Sequence, residues 1–153
     1  MAIVPPPTLH SVDELPGGPD PDDYRPGSAL AFVSDPTSED GRHVRSLSFI
    51  VERCGPGEHV PLHTHTTDEA IIIDEGEAEV VLGEHRARVA SGTVVFVPAG
   101  TPHSWGNPGS GVVRGHGVFP TDVLDIHYLE RNPAPGTEGQ PPQPAMTIDL
   151  RAQ

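Results

Sequence analysis

The sequence is poor in basic residues, in cysteine and in long apolar runs, and each shortage excludes a class of protein. Nine Lys and Arg stand against 22 Asp and Glu, a net charge of −13, so we expect neither a nucleic acid nor an anionic membrane as partner. Cys54 is the only cysteine, which excludes an intrachain disulfide. No apolar run is long enough to span a bilayer, and the first residues lack the regions of a signal peptide. We therefore expect a cytoplasmic protein.

The 19 prolines divide the chain because they crowd its two ends, while most of the Val, Ile, Leu and Phe lie in the middle. We expect residues 1–28 to form an extended Pro-rich N-terminal arm and residues 132–153 a Pro-rich C-terminal tail. Residues 29–131, about a hundred, have the usual size of one folded domain.

The middle of the chain has the pattern of short β-strands separated by Gly and Pro. Residues 77–82 alternate acidic and apolar side chains, the period-2 pattern of a half-buried strand. Strands are predicted at 44–53, 60–66, 69–73, 77–82, 86–89, 93–97, 103–105 and 112–119. Such spacing indicates a sandwich or barrel, an all-β fold. Two short helices are predicted beside it, at 11–15 with Ser11 as N-cap and at 122–129.

Four residues carry the candidate chemistry, and all can bind a metal. Alternate residues of a strand face one side, so His63 and His65 point together. Glu69 follows after a short turn, and an antiparallel strand would set its carboxylate opposite the two imidazoles. His103 lies on a later strand. Three imidazoles and one carboxylate suit one divalent transition metal per chain: Mn, Fe, Co, Ni, Cu or Zn.

These residues stand in two motifs through which the sequence resembles the cupin family. The first runs Gly57, five residues, His63-Thr64-His65, three residues, Glu69, six residues, Gly76. After fifteen residues the second runs Gly92, five residues, Pro98-Ala99-Gly100, two residues, His103, three residues, Asn107. The resemblance covers about a third of the chain and implies a double-stranded β-helix, a jelly-roll barrel. It also implies that the metal ligands are His63, His65, Glu69 and His103.

Four further residues are candidates for binding the substrate. Trp105 lies two residues after a ligand and shares its face, where it either walls the pocket or fills the barrel. Ile71 and Ile73 share the face of Glu69 and would make the interior beside the metal apolar. His116 meets an anionic substrate if its face lines the cavity, and is otherwise a surface residue.

The resemblance to the quercetin 2,3-dioxygenase type of cupin implies a dioxygenase acting on a small enolisable or phenolic compound. The metal would bind the deprotonated substrate, and Glu69 would accept its proton. One alternative is an oxygen-independent cyclase, isomerase or lyase that uses the metal as a Lewis acid. Another is a metal-dependent binding protein without turnover. We also expect a homodimer, in which residues 29–33 add a strand to the neighbour's sheet.

Overall fold

The computed structural model describes residues 2–15, 19–36 and 41–152, and its regular structure is almost entirely β-strand. The strands are β1 (His10–Ser11), β2 (Ala29–Ser34), β3 (Ser48–Cys54), β4 (His63–Thr64), β5 (Glu69–Glu75), β6 (Glu77–Leu82), β7 (His85–Ala90), β8 (Val94–Val97), β9 (His103–Gly106), β10 (Val113–Phe119), β11 (Val123–Tyr128) and β12 (Met146–Asp149). Two 3₁₀ turns, Val12–Glu14 and Leu150–Ala152, are the helical structure of these residues. Within the same ranges no helix is long and apolar enough to cross a membrane. The prediction of an all-β fold is confirmed.

The strands form two antiparallel sheets of six strands each. Their orders are β1-β2-β3-β10-β5-β8 and β12-β11-β4-β9-β6-β7. Strands far apart in the chain, such as β3 and β10 or β4 and β9, are therefore neighbours, which is the jelly-roll arrangement of a double-stranded β-helix. The sheets pack face to face over a core drawn from both: Cys54, Ile71, Ile73, Ala78, Val80, Val97, Trp105 and Val113.

Strand periodicity decides which side chains enter this core. Along β5, Glu69, Ile71 and Ile73 are buried between the sheets, and Ala70 and Ile72 alternate with them on the outside. The shared interior face of these three residues confirms the period-2 interpretation of this segment.

The predicted helix at 122–129 is wrong, because most of this segment is strand β11. It pairs with β12 on one side and with β4 on the other. Leu124 and Tyr128 are buried, and Leu124 packs with Ile126 in a second apolar cluster. These three residues recur at a spacing of two, which the sequence analysis did not recognise as a strand.

The predicted helix at 11–15 is reduced to the 3₁₀ turn Val12–Glu14. The side chain of Ser11 accepts a hydrogen bond from the Asp13 N–H, as the predicted N-cap requires. Val12 is buried. One turn is enough to place this apolar residue, and the chain then continues in an extended conformation at Leu15.

Both Pro-rich ends contribute strands that the sequence analysis missed, since β1 pairs with β2 and β12 pairs with β11. The ends also meet each other: the buried Asp22 carboxylate accepts a hydrogen bond from the Gln143 N–H at 2.7 Å. Strand β2, in which residues 29–33 lie, is held between β1 and β3 of its own chain. The two residues of β1 pair only with Ala29 and Leu30 on that side of β2, so a dimer formed through residues 29–33 stays a prediction. The division at residues 28 and 131 stays a prediction.

Candidate metal centre

The two sheets bring the four predicted ligand residues to one place. His63 on β4 lies directly opposite His103 on the adjacent β9. His65 follows β4, and Glu69 begins β5 in the facing sheet. All four side chains are buried, and one donor atom from each lies within 4.8 Å of the others.

Backbone carbonyls fix the orientation of the three imidazoles. The Nδ1 atoms of His63, His65 and His103 lie 2.7, 2.5 and 2.8 Å from the carbonyl oxygens of Pro61, Asp125 and Thr101 respectively. A carbonyl oxygen only accepts, so each Nδ1 carries the proton. Each Nε2 therefore presents a lone pair towards the centre, the arrangement in which histidines bind metals.

The inward-facing donor atoms of the four residues lie close to one another. His63 Nε2 lies 3.1 Å from His65 Nε2, and His103 Nε2 lies 2.9 Å from Glu69 Oε2. Glu69 Oε2 and His103 Nε2 are buried and have no hydrogen-bond partner among the described residues. Because buried polar atoms are normally paired, these unpaired donor atoms fit a divalent transition metal held by three nitrogens and one carboxylate.

The protonation states agree with this assignment. Burial lowers the pKa of His63 to about 3, and the neighbouring His103 and His65 act in the same direction. Burial raises the pKa of Glu69, but the imidazoles of His103 and His65 lower it more strongly, to about 2. At neutral pH His63 is thus neutral and Glu69 ionised, the forms in which these side chains bind metals.

The four ligands line a cavity of about 110 Å³ inside the barrel. Trp105 lines it, and Val60, Phe119 and Ile126 extend this apolar wall. Ile71 and Ile73 are not among the described residues that line the cavity. They pack with Trp105 in the core cluster, so they support the wall from behind.

His116 lies on the outside of the barrel. Its Nδ1 atom lies 2.8 Å from Asp74 Oδ2, and its ring is 6.2 Å from that of Phe49. It is not among the described residues that line the cavity. The position of His116 therefore does not fit a role in binding a substrate in this cavity.

Two glycines explain why the face of β10 that carries His116 lies on the outside of the barrel. The inward positions beside His116 are Gly115 and Gly117. A Cβ on Gly117 would lie 2.5 Å from Glu69 Oε1, and one on Gly115 would lie 3.2 Å from Trp105 Cη2. The space inside the barrel at β10 is thus already filled by Glu69 and Trp105. The Gly-x-Gly spacing was a signal for this that the sequence analysis did not use.

A second group of polar residues lines the cavity, and the sequence analysis missed it entirely. The guanidinium of Arg25, 2% exposed, donates to Asp23 at 2.5 and 2.7 Å and also to Glu52. Nearby, the Tyr128 hydroxyl donates to Asp20 Oδ2 at 2.9 Å. Three of these residues lie in the Pro-rich N-terminal segment, where nothing in the local pattern distinguishes a buried charge from an exposed one.

Burial dominates the electrostatics of this second group. It raises the pKa of Glu52, which Arg25 partly offsets, and it also raises the pKa of Asp20. For Arg25, burial lowers the pKa, but the charges of Glu52 and Asp23 outweigh it, and the pKa lies well above its ordinary value. Arg25 is therefore a permanent cation already bound by two acidic groups.

Comparisons with known proteins define the class to which this fold and site belong. Residues 50–119, which include all four metal-ligand residues, match the family model of the cupin domain. The chain therefore carries a cupin domain at these residues. Over 52 residues it is 42% identical to quercetin 2,3-dioxygenase of Bacillus subtilis, an alignment that spans 33% of this chain and 15% of that protein.

Solved structures show the same fold at lower identity. A cupin-like protein from Thermotoga maritima is 18% identical with a TM-score of 0.55, over 68% of this chain and 77% of that one. Oxalate decarboxylase from Lactobacillus farciminis, in a formate complex, is 18% identical with a TM-score of 0.58, over 67% of this chain and 31% of that one. These likenesses establish the fold alone.

Proposed function

We propose that this cupin is a metal-dependent dioxygenase that acts on a small enolisable or phenolic compound. The observation that carries the proposal is the set of four converging donor atoms, two of them buried and unpaired, in the wall of an apolar cavity. The partial similarity to quercetin 2,3-dioxygenase supports dioxygenation as the type of reaction.

The residues of the cavity have separate tasks in this proposal. A divalent metal held by the three imidazoles and Glu69 would supply a Lewis acid that stabilises a deprotonated substrate hydroxyl. Glu69 accepts the hydroxyl proton, since its carboxylate lines the cavity within reach of a bound substrate. Trp105 and Phe119 exclude water, which strengthens electrostatic interactions inside the site.

The size of the cavity limits the substrate. Its volume of about 110 Å³ lies below the roughly 300–1,000 Å³ of pockets for drug-sized ligands. A compound with about ten non-hydrogen atoms, a single ring, is therefore the expected substrate. A flavonol with three rings is too large for the cavity as it stands.

The test is oxygen uptake by the metal-loaded protein with single-ring catechols and small 1,3-diketones. We expect uptake in proportion to substrate consumed, and loss of both uptake and bound metal in His103→Ala. The control is His116→Ala, which removes an imidazole from the outside of the barrel and should keep both. Turnover that is indifferent to oxygen would support the Lewis-acid alternative, and loaded protein without turnover on any of these compounds contradicts the proposal.

We also propose a homodimer, formed through the outer face of the first sheet. One apolar row crosses five strands there in register: Val33, Phe49, Val118, Ala70 and Phe96. Phe96 is 75% exposed. Five strands span about 20–25 Å, and exposed apolar surface of this kind marks interaction sites. Light scattering should give twice the mass of the chain, and a monomer mass contradicts the proposal.

A further inference from the structure

The cavity has two chemically different sides, and the metal ligands occupy only one of them. The other side carries the second polar group, in which Arg25 is bound to Asp23 and Glu52, and Tyr128 to Asp20. Arg25 is 2% exposed, so this group belongs to the interior of the barrel.

The charges of this group do not suit an anion. Three carboxylates, those of Asp20, Asp23 and Glu52, line the cavity with one guanidinium, whose donors are already directed at Asp23 and Glu52. Asp20 receives hydrogen bonds from the Tyr128 hydroxyl and, at 2.9 Å, from the Asp22 N–H. A molecule entering the cavity thus meets a surplus of acceptor atoms and negative charge on this side.

Tyr128 presents an acceptor to the same space. Its hydroxyl proton is directed at Asp20, which leaves the oxygen lone pairs for a donor on another molecule. Tyr128 lies opposite His63 in the adjacent strand, and their ring centroids are 6.1 Å apart. Tyr128 is therefore a direct neighbour of one of the metal-site residues.

Asp20 and Tyr128 line the same cavity as the four metal-site residues. We propose, resting on the function proposed above, that Asp20 and Tyr128 are specificity-determining residues. They select a substrate that carries a hydrogen-bond donor, an ammonium or a hydroxyl group, at the end remote from its metal-binding oxygen. A carboxylate at that end is rejected because the site offers it no free cation.

The test compares three probes with the same catechol head: 3,4-dihydroxybenzylamine, 3,4-dihydroxybenzyl alcohol and 3,4-dihydroxybenzoate. Their binding to the zinc-loaded protein is measured by calorimetry without oxygen, so that no turnover is needed. A hydrogen bond to a charged group changes affinity about tenfold or more. We therefore expect the amine and the alcohol to bind at least tenfold more tightly than the benzoate.

Variants assign this preference to the two residues. Asp20→Asn should weaken the amine about tenfold and narrow its advantage over the benzoate, and Tyr128→Phe should weaken the alcohol severalfold. The matched control is Glu84→Gln, which neutralises an exposed acidic side chain in the turn between β6 and β7 and should leave all three affinities unchanged. Equal binding of the three probes to the wild-type protein, or an Asp20→Asn variant with the same ratio of amine affinity to benzoate affinity as the wild type, overturns the inference.

Failure of the proposed function gives a different result. If plain catechol does not bind the zinc-loaded protein, the phenolic anchor is wrong. The ranking is then measured with benzylamine, benzyl alcohol and benzoate on the metal-free protein. A preference for the amine there upholds the role of Asp20 and Tyr128, and its absence overturns it.

Discussion

Replacing Gly117 by alanine should weaken metal binding while leaving the barrel folded. The added Cβ would lie 2.5 Å from Glu69 Oε1 and 3.1 Å from the Phe119 ring. The Glu69 carboxylate must retreat by about 1 Å to restore ordinary contact. A metal–ligand bond tolerates only about 0.2 Å, so Glu69 ceases to be an effective ligand. The fold survives because the displaced atom is the end of a side chain.

The expected loss of zinc affinity is at least tenfold, about 1.4 kcal/mol, as measured by competition with a chromogenic chelator. Gly111→Ala is the matched control, since a Cβ there meets nothing within 4 Å. Thermal melting without metal should give the same midpoint for the Gly117→Ala and wild-type proteins within a few degrees. Zinc binding within twofold of wild type by a folded Gly117→Ala variant would refute the assignment of Glu69 as a ligand.

Three further predictions concern pH, assembly and the thiol. The metal-free protein should lose stability in urea melts as the pH falls from 6.5 towards 3, because buried His63 stays neutral while the unfolded chain takes up a proton. Glu69 should lower the free energy of unfolding further as the pH falls from 4.5 to 2, because its pKa is lower in the folded protein. Each group contributes up to about 1.4 kcal/mol per pH unit. A free energy of unfolding that does not change with pH would contradict this prediction. Phe96→Glu should give monomers by light scattering. The control Leu129→Glu, at a residue that is 46% exposed, should stay dimeric. A Phe96→Glu variant that is still a dimer would exclude the outer face of the first sheet as the interface. Burial and the charge of Glu52 raise the pKa of Cys54 to about 11, so iodoacetamide should label it only after unfolding, and labelling of the folded protein at pH 7 would contradict its burial.

The ligand set was predictable from the sequence because its information is local. Alternation within one strand aligns His63 with His65, and the glycine turns limit where Glu69 can follow. The motif spacing also identified the family, and through it the barrel that brings His103 to the site. A cytoplasmic location and the metal's identity stay predictions.

The tertiary structure decided what each face of a strand meets. The sequence could not show that His116 lies outside the barrel. Side chains alternate along β10 with a period of two whichever of the two sets faces the interior. The space taken by Glu69 and Trp105 against Gly115 and Gly117 settles that choice.

The second polar group of the cavity was likewise beyond the sequence. Arg25 and Asp20 lie in a Pro-rich segment that has no strand pattern, and their partners Glu52 and Tyr128 come 27 and 108 residues later. A buried charge is stable only with such a partner, and the partner is chosen by the packing of the whole chain. Strand period and motif spacing thus determined the candidate metal ligands, and long-range packing determined the second polar group in the same cavity.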